Sequence, residues 1–206
     1  VSINSASATD LTIYTYESFN SEWVPGPVVF KSFEEQCRCK INIVTPGDSG
    51  TVLNRVILEQ ANPKADILLG LNNSELEKSF RYKLWIPYRS PLLVQVPLDL
   101  LLDKKHQVTP FDYGFISFVY DSQKMKNPPR NLVDLLDPEY KRKIVIENPK
   151  TSSPGLSLLH WTIAVFGEED YLDYWKRLQP NLLSVTDGWS AAYGMFTKGE
   201  VPIVLS

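Results

Sequence analysis

The residues best suited to binding chemistry are two adjacent serines, Ser152 and Ser153, where a strand pattern changes to a helix pattern. The apolar run 144–146 precedes them, and apolar residues at helical spacing follow across 156–166. Either serine can cap such a helix, and Pro154 fits its first turn. A helix start presents free backbone N–H groups and the positive end of the helix dipole. The pattern therefore predicts an anion or hydrogen-bonding site, although a capped helix that binds nothing has the same sequence.

Acidic and aromatic side chains stand at similar positions after other predicted strands. Asp48 and Ser49 lie in a turn after the second strand, and Tyr16 ends the first. Trp23 follows in a loop, and Trp189 comes after a late strand. Flat aromatic faces near a carboxylate suit a planar or cationic ligand. Asp48 is equally suited to form its turn, and Trp189 also keeps the spacing of a helical core residue.

Candidate catalytic groups are scarce. His106 follows two lysines in a loop and His160 lies in an apolar helix, so we expect the first to be solvated and the second structural. Neither forms a recognisable nucleophile–base arrangement, and no dinucleotide-binding, phosphate-loop or zinc-protease motif occurs. Cys37 and Cys39 are too closely spaced for a structural zinc site. The sequence predicts no catalytic residue, no metal site and no cofactor.

Cysteine use and charge restrict the compartment and the partners. Cys37 and Cys39 form either a small-loop disulfide in an oxidising compartment or two free thiols, and the sequence leaves both open. The formal charge of -3 and the lack of a basic block argue against a nucleic-acid partner. No run of residues is long and apolar enough to span a membrane. The hydrophobic fraction of 43% is typical of a packed globule.

Strand and helix patterns alternate along the chain, which predicts an α/β fold with mostly parallel sheets flanked by helices. Strands are predicted at 11–16, 40–44, 65–70, 111–121, 144–146, 182–186 and 201–205, and helices at about 25–37, 53–60, 73–80, 132–136, 156–166, 168–178 and 188–196. An irregular stretch, about 84–110, lies between two blocks, 10–110 and 111–206. Open parallel sheets bind ligands beyond the carboxyl ends of their strands. Two facing blocks therefore predict one cleft that contains the residues named above.

A resemblance to a known family rests on motifs that keep their order and spacing along nearly the whole chain. The most specific are LTIYTYESF (11–19), PFDYG (110–114), TSSPG (151–155) and GWSAAYG (188–194). By these motifs the chain resembles the periplasmic thiamine-binding proteins of bacterial thiamine ABC transporters. The resemblance implies an exported, periplasmic protein with a two-lobe type II periplasmic binding protein fold. It also implies capture of thiamine, thiamine monophosphate or thiamine diphosphate between the lobes and delivery to a membrane permease.

The resemblance also implies particular ligand contacts. By motif match they are Asp48, Ser49, Ser152, Ser153 and Trp189, with Tyr16 and Trp23 at further positions near the ligand. The permanent positive charge of thiamine would suit Asp48 and the aromatic faces. The chain departs from the family at Pro46 and Gly47, which the family usually lacks. Family members also continue past the strand at 201–205, so the resemblance implies a chain without its C-terminal part.

Two alternative functions stay open at this point. The same fold could bind a polyamine or a phosphate ester, although polyamine binders need several carboxylates in the cleft and the strand ends supply few. An enzyme that acts on thiamine or a pyrimidine precursor is the second alternative. Such an enzyme needs a nucleophile and a base in the cleft, and neither cysteine lies at the carboxyl end of a strand.

Overall fold

Two sheets flanked by helices organise the residues that the computed structural model describes, 10–21 and 24–206. The first sheet contains β1 (Leu11–Thr15), β2 (Ile41–Val44) and β3 (Ile67–Leu69), and its helices are α1 (Gly26–Cys37), α2 (Ser49–Leu58) and α3 (Asn73–Arg81). The strand order is β2-β1-β3, and both pairs are parallel. A helix follows each strand because parallel neighbours need a crossover connection.

The second sheet is mixed. It contains β4 (Phe118–Tyr120), β5 (Ile144–Glu147), β6 (Leu182–Thr186) and β7 (Ile203–Leu205), with helices α4 (Ser153–Leu178) and α5 (Trp189–Thr197). The strand order is β4-β7-β5-β6, and only the β4–β7 pair is antiparallel. The predicted α/β architecture with mixed, mostly parallel sheets is confirmed. The division into lobes at 10–110 and 111–206 stays a prediction.

The interior of the second sheet holds the larger core. All four residues of β5 are buried. Ile144 and Ile146 pack with Leu158 of α4 on one side, and Val145 packs with Ala192 of α5 on the other. Burying a large aliphatic side chain contributes roughly 1.5–3 kcal/mol. This packing holds the starts of α4 and α5 at the carboxyl end of the sheet.

Helix α4 changes direction at Gly167, which has φ 78° and ψ 170°. A side chain at this φ would be strained, so glycine permits the bend. Beyond Gly167 the second segment of α4 packs back on the first segment. The Tyr174 ring stacks on Phe166 with ring centroids 4.5 Å apart. The sequence predicted two helices, 156–166 and 168–178, and two helical segments joined at this glycine are present.

The long strand predicted at 111–121 is mostly wrong. Only Phe118–Tyr120 forms a strand, and it pairs with β7. Ser117 still exchanges two backbone hydrogen bonds with Ser206, but residues 111–116 have strand-like composition without a strand partner, and Phe115 is 91% exposed. The irregular stretch at 84–110 is confirmed, since its only regular structure is two short 3-10 turns, Pro91–Gln95 and Leu98–Leu100.

Cys37 and Cys39 form a disulfide at the end of α1, which decides between the two states that the sequence left open. Arg38 lies between them in the left-handed conformation that commonly ends a helix, with φ 54°. Along the described part of the chain, none of the helices has the length and apolar character needed to cross a membrane.

Gly155 sets how closely α4 approaches β5. A Cβ at this position would lie 2.3 Å from the carbonyl oxygen of Glu147. We expect Gly155→Ala to lower the free energy of unfolding by about 3 kcal/mol, because backbone would have to move away from backbone. Urea unfolding measures the change. Gly194→Ala is the control: a Cβ there meets nothing within 4 Å, and alanine should raise helix stability by up to about 1 kcal/mol. Equal effects of the two substitutions would contradict the tight contact.

Candidate ligand-binding site

Asp48 lies between the two sheets, in the turn that joins β2 to α2. It is the N-cap residue of α2, and its Oδ1 accepts a hydrogen bond of 2.8 Å from the backbone N–H of Ser49. Acidic N-caps satisfy one of the free N–H groups at a helix start and fix the direction of the side chain. The interpretation of Asp48 as a turn residue is therefore correct, but it is incomplete.

The second carboxylate oxygen of Asp48 contacts the other sheet. Asp48 Oδ2 accepts a hydrogen bond of 2.7 Å from the Ser152 hydroxyl and one of 3.1 Å from the backbone N–H of Trp189. Ser152 precedes α4 and Trp189 begins α5, so the starts of two helices converge on one carboxylate. Hydrogen bonds to a charged group are stronger than neutral ones. The fold thus brings together three residues that the sequence nominated separately.

The capping role predicted for Ser152 is corrected by this geometry. Ser152 occupies the N-cap position of α4, but its side chain makes no capping hydrogen bond. Its hydroxyl donates to Asp48 instead, because a carboxylate is a strong acceptor within reach. The residue is only 1% exposed. Ser153, the first residue of α4, is partly exposed and lines the open cleft.

Backbone contacts hold the same turns together. The Thr51 N–H donates to the Thr151 carbonyl oxygen at 3.2 Å. A Cβ on Gly50 would lie 2.8 Å from this carbonyl oxygen, and one on Gly188 would lie 3.1 Å from the Cβ of Asp48. Small residues on both sides therefore allow the Asp48 turn to enter the gap between α4 and α5.

Tyr16 lies at the carboxyl end of β1 and is held against the backbone of Gly70. A Cβ on Gly70 would lie 2.2 Å from the Tyr16 ring, and the φ of +105° at Gly70 also disfavours a side chain. Burial raises the pKa of Tyr16 to about 12, and the negative charges of Asp112 and Asp48 add to the rise. The phenol is therefore neutral at physiological pH and can donate or accept a hydrogen bond.

Trp189 has its ring fixed on two sides. The indole stacks on Tyr193 with ring centroids 4.6 Å apart, and its Nε1–H donates to the Ser206 hydroxyl at 3.0 Å. The residue is half-buried and lines the cleft. Trp189 packs against its own helix and also presents surface to the cleft.

The cleft is open, with a volume of about 1880 Å³. This exceeds the 300–1,000 Å³ of ordinary small-molecule sites. Of the predicted site residues, the cleft wall contains Tyr16, Asp48, Ser153 and Trp189. Ser49 and Ser152 are buried behind this wall. Trp23 lies outside the described residues. A ligand role for all of these residues stays a prediction.

Two buried acids behind the wall were not found from the sequence. Glu75 of α3 is 3% exposed, and its Oε2 accepts a hydrogen bond of 3.3 Å from the Asn72 N–H. Burial raises its pKa to about 7, the Asp48 charge adds to the rise, and Asn72 and Ser49 act against it. The Ser49 hydroxyl faces this carboxyl without reaching hydrogen-bond geometry. The Asn-x-x-Glu spacing of a helix start was the available sequence signal.

Glu147, at the end of β5, is 0% exposed, and neither of its carboxyl oxygens has a hydrogen-bond partner. Burial raises its pKa to about 8, its own backbone N–H acts against this rise, and the charge of Asp48 adds to it. The only sequence signal was a glutamate directly after an apolar strand, which is also how a strand commonly ends.

This arrangement supports binding by charge, aromatic surface and hydrogen bonds. A carboxylate, a neutral phenol and an indole face one cleft, and the start of α4 adds polar groups at Ser153. In 10–21 and 24–206, no group of three or more His, Cys, Asp or Glu residues could hold a metal ion.

Comparison with known proteins identifies close relatives. Residues 62–206 match a family model described as bacterial extracellular solute-binding protein. The chain is 44% identical over 197 residues to a thiamine-binding periplasmic protein of Brucella abortus biovar 1 (strain 9-941), and 42% identical over 197 residues to the one of Escherichia coli (strain K12). These matches cover 95% of this chain but only 58% and 59% of the relatives. The chain thus spans less than two thirds of their length.

Solved structures share the fold. A periplasmic thiamin binding protein matches with a TM-score of 0.81 and 40% identity, over 95% of this chain and 61% of that chain. The periplasmic binding protein AfuA from Actinobacillus pleuropneumoniae, with fructose-6-phosphate bound, matches with a TM-score of 0.85 and 23% identity, over 97% and 64%. At that identity the second likeness shows the fold alone. The type II periplasmic binding protein fold expected from the sequence is confirmed.

Proposed function

The chain belongs to the bacterial extracellular solute-binding protein family, and we propose that it captures thiamine and thiamine phosphates in the cleft beside Asp48. The ligand would pass from this cleft to the membrane permease of a thiamine ABC transporter. The observation that carries the proposal is the meeting of the Asp48 carboxylate with the aromatic side chains of Tyr16 and Trp189 in one cleft wall. Relatives named for thiamine binding support the same choice of ligand.

The chemistry of thiamine fits this wall. Its thiazolium ring is flat and permanently positive, and its aminopyrimidine ring is flat and carries hydrogen-bonding groups. A unit charge about 4 Å from a carboxylate gains roughly 1–4 kcal/mol between bulk water and a protein surface. A cation over an aromatic face gains about 0.5–2 kcal/mol more. Asp48, Tyr16 and Trp189 together supply both kinds of contact.

Thiamine monophosphate and diphosphate add an anion to the same ligand. Ser153 begins α4 and lines the cleft, so the N–H groups of the first helical turn lie near the cleft wall. Helix starts favour phosphate through these N–H groups and the helix dipole. We therefore include the phosphate esters among the ligands and assign their recognition to Ser153.

A binding role without catalysis and a periplasmic location complete the proposal. The family consists of solute-binding proteins, and the groups gathered at Asp48 bind charge and aromatic rings. The disulfide between Cys37 and Cys39 supports an oxidising compartment. Relatives named as periplasmic proteins support the same location.

Calorimetric titration of thiamine into this chain tests the proposal, with the Escherichia coli relative as a positive control. We expect Trp189→Ala to weaken binding about tenfold or more, since it removes the ring but keeps the backbone N–H that Asp48 accepts. Trp161→Ala is the matched control, because Trp161 lies on α4 but is not among the residues that line the cleft, so the substitution should leave affinity unchanged.

Absence of thiamine binding, with the relative binding under the same conditions, would overturn the proposed function. Preference for a polyamine or an unrelated phosphate ester would replace thiamine as the ligand on the same fold. Equal affinities of the two tryptophan variants would remove Trp189 from the site.

A further inference from the structure

Asp48 joins the two sheets through its hydrogen bonds. We use the name Asp48 latch for the Asp48 carboxylate together with its two donors from the second sheet, the Ser152 hydroxyl and the Trp189 N–H. The backbone hydrogen bond from Thr51 to Thr151 lies beside it. Any separation of the two sheets must break all three hydrogen bonds. The latch therefore reports whether the two sheets are together or apart.

Glu147 lies buried in the second sheet close to this latch. Side chains alternate along a strand, so Glu147 faces the same side of β5 as Val145, which packs with Ala192 of α5. The backbone of Gly155 in α4 covers the Glu147 carbonyl, and the side chain is fully buried. Both carboxyl oxygens lack a partner among the described residues. An ionised carboxylate without partners or countercharge is among the costliest groups to bury.

Among the charged groups around Glu147, Asp48 is the one that affects its pKa. The Asp48 charge raises the pKa of Glu147, in addition to the larger effect of burial. The turns that lead into α4 and α5 contribute Lys150 and Asp187, and both are exposed to solvent. The neighbouring strands contribute Thr186 and Val204 in register with β5, and α5 contributes uncharged side chains.

A second acid lies on the other side of the latch. The Asp48 charge also raises the pKa of Glu75, while Lys78 acts in the opposite direction. Glu75 belongs to the same sheet as Asp48, so the two remain neighbours when the sheets separate. Glu147 belongs to the opposite sheet, so its distance from Asp48 changes whenever the latch opens. This difference makes Glu147 the acid whose separation from the Asp48 charge changes on closure.

We propose that Glu147 is a proton-binding group that controls the Asp48 latch, so that the two sheets come together with Glu147 neutral and separate more readily with Glu147 ionised. A proton is the appropriate ligand, since a fully buried carboxyl group without a hydrogen-bond partner favours its neutral form. This inference concerns the ligand-free chain and does not depend on the identity of the solute.

The direction of the effect follows from linkage. With the latch closed, Asp48 is near and the pKa of Glu147 is about 8. With the latch open, Asp48 is distant and the pKa of Glu147 is lower, although burial still raises it above the ordinary value. At a pH between these two pKa values, closing the latch therefore binds a proton to Glu147. As pH rises through this range, the closed form loses stability relative to the open form. The Asp48 charge is the smallest of the three causes that set this pKa, so we expect only about a three- to tenfold change in the closed-to-open ratio.

Amide hydrogen exchange measures this ratio directly in the ligand-free chain. The Trp189 N–H donates to Asp48 across the interface, so it is protected only while the latch is closed. We expect its protection factor, corrected for intrinsic exchange, to fall about three- to tenfold between pH 6 and 9. The Ile203 N–H, which bonds within the second sheet, is the internal control and should not change.

Variants separate Glu147 from the other acids. Glu147→Gln should give high protection at every pH, because a neutral amide stands permanently in place of the neutral acid. Glu200→Gln neutralises an exposed glutamate and should keep the wild-type pH dependence. Glu75→Gln should keep it as well. The proposal is overturned if Glu147→Gln titrates like wild type, or if Glu75→Gln alone abolishes the dependence.

A second measurement uses the wild-type chain and needs no folded variant. The carboxyl carbon of Glu147, followed by carbon-13 NMR, should titrate with a midpoint above pH 7. A midpoint near the ordinary glutamate value of 4.5 would overturn the proposal, since the carboxyl would then be ionised at neutral pH with the latch closed.

Discussion

Asp48→Asn should weaken thiamine binding about 100-fold while the fold remains intact. The substitution removes the negative charge that attracts the thiazolium ring. It also removes one strong acceptor, so the Ser152 hydroxyl and the Trp189 N–H lose part of their charge-assisted hydrogen bonding. A 100-fold loss corresponds to about 2.7 kcal/mol, which is within the range measured for hydrogen bonds to charged groups. Calorimetric titration gives the affinity, and circular dichroism checks the fold.

Two comparisons separate ligand binding from turn formation at Asp48. Asp170→Asn removes the same charge from an exposed site on α4 and should leave the affinity unchanged. A neutral pyrimidine analogue of thiamine should lose less affinity than thiamine in Asp48→Asn, because the analogue carries no charge. Equal losses for the two ligands would mean that Asp48 acts only through the shape of its turn.

Glu147→Gln should stabilise the protein, and the gain should grow with pH. The pKa of Glu147 is about 8 in the folded chain, against an ordinary value of 4.5. Between these values the folded state holds a proton that the unfolded state releases, so the wild type loses stability as pH rises from about 4.5 to about 8. Glutamine does not titrate and avoids this loss. Each unit of pKa shift changes the free energy of unfolding by about 1.4 kcal/mol, so the upper limit of the gain is about 5 kcal/mol. We expect a gain of about 2 kcal/mol at pH 8.

Urea unfolding at pH 5, 6.5 and 8.5 gives this gain as a difference between variant and wild type. The difference should be smallest at pH 5 and should level off above pH 8. Glu200→Gln, at an exposed site, should show no comparable trend. A difference that is the same at all three pH values would mean that Glu147 does not hold a proton in the folded chain.

The elements of the fold were largely predictable because their signals are local. Alternating apolar runs and helical spacing predicted strands such as β5 and β6 and a helix at α5. The stretch at 111–121 failed for a physical reason. A strand exists only with a partner, and here only Phe118–Tyr120 finds one, on β7 more than 80 residues later in the chain. Composition predicts the tendency to form a strand but not the partner.

In the candidate site too, the sequence predicted what depends on neighbouring residues and missed what depends on distant ones. The sequence identified Asp48, Ser152 and Trp189 individually, because each follows a strand and a turn. It offered either Ser152 or Ser153 as the helix cap, since a cap needs only neighbours in the chain. The Asp48 carboxylate, 104 residues away, takes the hydroxyl hydrogen bond instead.

The sequence by itself determined the α/β architecture, the polar and aromatic character of the strand ends and the family resemblance, because residue types and short spacings carry these properties. The tertiary structure alone decided that Asp48 accepts hydrogen bonds from residues 104 and 141 positions away, and that Glu147 is fully buried without a partner. Hydrogen bonding and burial depend on atoms brought together from distant parts of the chain. The charge state of Glu147, and with it the proposed control of the latch, is therefore a property of the folded molecule.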